Sequence, residues 1–215
     1  MMQACALAAL ALVSAAFAMY VGHAFLARPI SEWGAEMGDD FSEGWRPWLF
    51  GPHLFAGAVL TVAGPVQLLE AMPRWAHRYL GWVVLGLAAV TSTFGTAYAV
   101  LFGTQGGLIM TAGFGFYGAA MATAAWCVWR SRQVGGPDHS LWGRRMAVLA
   151  AGSAVYRVLV LPVFLWRTLG GDDGDLMPWE AEQAWLNIAA VAFTPLCVLV
   201  ADHWPLKDRP RPKTL

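Results

Sequence analysis

The chain has 215 residues, 58% of them hydrophobic and 13% charged, with a net charge of zero. A soluble domain carries about 25% charged residues. The composition therefore belongs to an integral membrane protein, and the balanced charge gives no basis for a nucleic-acid partner. Arginine outnumbers lysine twelve to two, which reads as the trace of a GC-rich bacterial genome.

In chain order, six apolar runs reach the ~20 residues that a helix needs to cross a bilayer. They cover 3–26, 50–72, 79–103, 107–129, 146–167 and 184–203. The first run carries "AFA" at 16–18, which resembles a signal cleavage site. Its n-region has no positive charge, however, and the run continues through "MYVGHAFLA", beyond the ~7–15 residues of a signal core. A retained first span is therefore expected. No linker or repeat divides the chain. The predicted fold is all-α, a polytopic membrane bundle of six transmembrane helices forming one domain over 1–215, with a tail at 204–215.

The connecting segments set the orientation. Residues 28–49 and 167–183 each hold five acids, with two arginines and one arginine respectively. By contrast, "PRWAHRY" (73–79), "RSRQVGGPDHSLWGRR" (130–145) and the tail hold ten of the fourteen basic residues. Basic segments stay on the cytoplasmic side. All three follow an even-numbered span, so both termini are expected in the cytoplasm of a bacterial inner-membrane protein. Tryptophans near the span ends, among them Trp45, Trp48, Trp75, Trp82, Trp142 and Trp185, fit an interfacial aromatic belt.

Within the second span, His53, Gly57, Leu60, Gly64 and Gln67 recur at helical steps and define one stripe. Thr91, Gly95 and Tyr98 form a second stripe on the third span, and Thr111, Gly115 and Gly118 a third on the fourth. Small residues of this kind let membrane helices approach closely. Pro65 is expected to kink the second span at its middle and to free the Thr61 carbonyl. Pro162 and Pro195 predict kinks in spans five and six. Cys5, Cys127 and Cys197 lie in apolar runs outside any metal-ligand spacing and are read as packing residues.

Three segments hold an ordered set of motifs: "HLFAGAVLTVAGPVQL" (53–68), "RWAHRYLGWV" (74–83) and "HSLWGRRMAVLAAGSAVYR" (139–157). The matching residues are His53, Gly64, Pro65, Gln67, His77, Arg78, Gly81, His139, Trp142, Arg145 and Arg157. Over about 50–160 the chain resembles a prokaryotic membrane family catalogued as domain of unknown function 2306. It departs from that family's pattern at Ser140, Leu141 and Gly143. The resemblance implies no activity.

Function is read from the polar residues. One reading is a b-type haem or other redox protein, because His53, His77 and His139 lie near opposite faces and imidazole is a common axial ligand. A second is a cytoplasmic metal site built on the Asp-His pairs at 138–139 and 202–203, with His77 at the same depth. A third is a carrier or binder of a small anionic or amphipathic molecule, built around an interior arginine and a kinked helix. The fourth, which we carry forward, is a non-catalytic membrane subunit or scaffold whose polar residues hold helices together. Its partners would be the lipid bilayer and another membrane protein or further copies of the chain. No nucleophile–base pair, phosphate loop or paired carboxylates point to a hydrolase or a nucleotide enzyme.

The sharpest local expectation concerns Arg157, the single charge in "GSAVYRVLVLPVFLW". A mid-span arginine costs about 2.5–3.5 kcal/mol on insertion scales, so it should face the bundle interior. Counting from an inner boundary at residue 146, at ~1.5 Å per residue, places its guanidinium level with Gln67. The expected cluster is Arg157 with Gln67, Glu70, Ser153 and Tyr156, beside Pro65. His77 and His139 are expected within one side-chain length of each other.

Overall fold

The structure, a computed structural model, describes residues 44–68, 72–104, 106–134, 138–169 and 179–203, with scattered positions between 12 and 32. The expected first span and the tail therefore lie outside the described residues. Six helices follow one another: α1 (Arg46–Val66), α2 (Arg74–Phe102), α3 (Gly107–Val134), α4 (Asp138–Ala150), α5 (Gly152–Leu169) and α6 (Trp179–His203). Among the described residues the protein is all-helical. Four helices, α1, α2, α3 and Glu180–His203 of α6, are long and apolar enough to cross a membrane. This is the makeup of a multi-pass membrane protein.

The fifth apolar run is the one that departs from a single helix. It begins earlier than expected, at Asp138, and divides at Ala151 into α4 and α5. Across the break the Ala154 N–H turns to the Ala151 carbonyl at 2.9 Å instead of reaching back to Ala150. Gly152 and Ser153 follow at once, and glycine is a weak helix former.

Proline placement also differs from expectation. Pro65 is the penultimate residue of α1, so it ends the helix and does not bend its middle. The chain leaves through two tight turns, Gln67 N–H to Gly64 O at 3.1 Å and Leu68 N–H to Pro65 O at 2.9 Å. Pro162 and Pro195 lie inside α5 and α6. Trp185 Nε1 donates to the carbonyl of Leu159, three residues before Pro162, at 2.8 Å. This bond ties α6 to α5 one turn before the proline.

Small residues bring the helices together. A Cβ on Gly64 would fall on that of Ala150, so α1 and α4 touch almost backbone to backbone. A Cβ on Gly113 would stand 2.7 Å from the Ala190 carbonyl, which joins α3 to α6 in the same way. Gly118 sits against Thr96 of α2. Gly115, expected to share that stripe, has open space beside it. The main core collects Leu60, Val84, Met121 and Leu149, each almost fully buried. A second cluster stacks Phe114, Tyr117 and Tyr156 around Phe193, with ring centroids 4.8–5.9 Å apart.

Candidate functional site

The α1 and α2 stripes face each other. A Cβ on Gly95 would coincide with the His53 ring, and one on Gly57 would touch Thr91 Cγ2 at 3.8 Å. Four steps forward on α1 are thus four steps back on α2, so the pair is antiparallel. His53 Nδ1 lies 3.0 Å from the Thr91 carbonyl. A carbonyl can only accept, so Nδ1 carries a proton. Phe50 and Tyr98 close the same seam with ring centroids 5.0 Å apart. The Thr91 hydroxyl is buried there without a hydrogen-bond partner.

A second junction sits at the α4–α5 break. Tyr117 of α3 donates its O–H to the Leu149 carbonyl at 2.6 Å. That carbonyl would serve Ser153 in an unbroken helix, and the break gives it to the tyrosine. Gly152 permits the approach, because a Cβ there would stand 2.9 Å from the Tyr117 ring. Sequence reading missed Tyr117. The signal was present in the Met110, Gly113, Phe114, Tyr117 and Met121 steps, the face that meets α6 and the break.

Arg157 lies on the first turns of α5 and is exposed. Its Nη1 donates to Ser153 Oγ at 2.7 Å and to the Ser153 carbonyl at 3.0 Å. The side chain leans toward the helix N-terminus, as helical side chains do. Tyr156, the neighbouring residue, turns away into the Phe193 cluster, 9% exposed.

The expected partner is elsewhere. Gln67 Nε2 donates to the His77 carbonyl at 3.3 Å, closing the α1–α2 turn. With Gly64 beside Ala150, Gln67 is three residues one way and Arg157 seven residues the other. This separates their Cα atoms by about 15 Å along the bundle. The expectation erred by counting depth from residue 146, whereas the helix starts at Asp138. Glu70 lies outside the described residues.

His53 stands apart from His77. His53 sits beside Gly95, eighteen residues and about 27 Å along α2 from His77. His139 Nδ1 pairs with the Ser131 hydroxyl at 3.3 Å, a hydroxyl that itself donates to the Val128 carbonyl. His77 lies on α2 and His139 on α4, where α3 holds the ring. Among the described residues no three histidine, cysteine or acidic side chains group as a metal would need. His53 therefore does not share a donor set with His77 among the described residues. What "DH" at 202–203 supplies instead is an ion pair. Arg145 Nε and Nη2 grip Asp202 Oδ1 and Oδ2 at 2.7 and 2.8 Å, with the guanidinium over Trp142 at 4.7 Å. This joins α4 to α6, and sequence reading missed it.

No family model matches this chain, and neither does any curated protein or solved structure. Function is therefore argued from the geometry alone.

Proposed function

We propose that the chain is a bacterial inner-membrane protein that crosses six times, with both termini cytoplasmic, and serves as a non-catalytic membrane subunit or scaffold. One observation carries this reading. Two polar side chains within the apolar helices bond the backbone of a neighbouring helix, His53 at Thr91 and Tyr117 at Leu149. Polar groups in a membrane interior are costly unless bonded, and bonds of this kind fasten helices. The likeness to the family of domain of unknown function 2306 is carried as part of the same proposal. Its motif residues His53, Gly64, Gln67 and Arg145 make contacts between helices.

A second reading, binding of a small anionic amphiphile, is favoured by the exposure of Arg157 at an apolar depth. A thermal-unfolding series of the purified protein with decanoate separates the two. An unchanged transition supports the scaffold. A rise in wild type that is lost in Arg157→Gln overturns it in favour of binding. Orientation is tested by cysteine labelling of intact cells at Arg132 and at Asp173, the latter outside the described residues. Labelling at 132 from outside refutes the topology.

A further inference from the structure

We propose that the inner end of α2 carries a seat for the headgroup of an anionic phospholipid. Trp75, Arg78, Tyr79 and Trp82 fall at i, i+3, i+4 and i+7, one face of the helix. They line a groove of about 520 Å³. The aromatic rings are open to the surroundings, with Trp75 76%, Tyr79 73% and Trp82 51% exposed. A second guanidinium borders the groove from α3, where Arg132 stacks on the Trp82 ring at 4.4 Å. Arg78 and Arg132 thus both adjoin Trp82, and among the described residues no carboxylate lines the groove.

The chemistry selects the occupant. A guanidinium binds phosphate oxygens in a fork, and stacking on indole holds it aimed before the anion arrives. Tryptophan and tyrosine favour the headgroup level, with the apolar body toward acyl chains and the polar tip toward water. Beyond Trp82 the same helix continues apolar, with Val83 exposed for chain contact. A soluble phosphate would leave these rings in water. A second copy docked face to face would bring four guanidiniums together. A phosphodiester lipid with net negative charge satisfies the rings and the charge at once. The inference rests on α2 standing in a membrane, not on the scaffold role.

The test uses full-length protein in nanodiscs of phosphatidylcholine with a minor fraction of phosphatidylglycerol. Native mass spectrometry reads the lipids released with the protein. Wild type retains phosphatidylglycerol in preference to phosphatidylcholine. Arg78→Gln with Arg132→Gln reduces that preference by roughly tenfold or more, and Arg78→Gln alone, an exposed position that leaves folding intact, gives a partial loss. Arg130→Gln, which does not line the groove, keeps the full preference. The proposal is overturned if both Arg78 variants match wild type, or if inorganic phosphate alone displaces the lipid. It is also overturned if Tyr79→Cys copies cross-link to each other in the nanodisc. Failure of the protein to enter nanodiscs would instead refute the membrane placement.

Discussion

Substituting Gly95 by alanine tests the α1–α2 seam, because two opposing effects of known size meet there. Alanine in place of a mid-helix glycine stabilises a helix by about 1 kcal/mol. At this position, however, the added Cβ coincides with His53 Nδ1 and Cε1. Displacing a packed ring costs about 1–3 kcal/mol. The displaced ring also gives up its hydrogen bond to Thr91, worth ~0.6 kcal/mol within a membrane bundle. The net expectation for Gly95→Ala is a loss of about 1–2 kcal/mol. In a His53→Ala background the obstacle is gone, so the same substitution should stabilise by about 1 kcal/mol. The effect thus changes sign, and the double-mutant cycle should return a coupling of about 2–3 kcal/mol. Equilibrium unfolding in mixed micelles of mild detergent and dodecyl sulfate measures all four forms. If Gly95→Ala has the same effect with and without the histidine, the ring does not lie on Gly95 and the seam is wrong.

Three further outcomes follow from the same contacts. Tyr117→Phe keeps the ring against Gly152 and Phe193 but orphans the buried Leu149 carbonyl, so the unfolding free energy should fall by about 1–2 kcal/mol; an unchanged value would refute the role given to the hydroxyl. Thr91→Val removes a buried hydroxyl that has no partner while keeping nearly the same shape, so it should be neutral or stabilising by up to ~1 kcal/mol, and a clear loss in the same assay would mean the hydroxyl is used. Asp202→Asn breaks a two-pronged but partly solvated ion pair, so it should cost about 0.5–1 kcal/mol at low salt and less as salt rises; a loss independent of salt would contradict a screened surface pair.

The helical class, the membrane composition and the stripes His53–Gly57 and Thr91–Gly95 were legible in the sequence alone. These are local properties: a run of apolar residues and a 3.6-residue period need no knowledge of the rest of the chain. Where one helix lies along another is a different kind of fact. The α1–α4 register is set by Gly64 meeting Ala150 across the bundle. That contact carries Arg157 about 15 Å from Gln67 and along the bundle toward the His53 end of α1, and no periodicity in either segment encodes it. The break at Ala151 was equally hidden, because it persists only where the tyrosine of a third helix takes up the carbonyl it frees. The Arg145–Asp202 pair likewise joins residues 57 positions apart, and their opposite charges could each have met several partners. Tertiary packing chose among those partners, because a charge or carbonyl in an apolar bundle takes the partner that close-packed small residues bring within bonding distance.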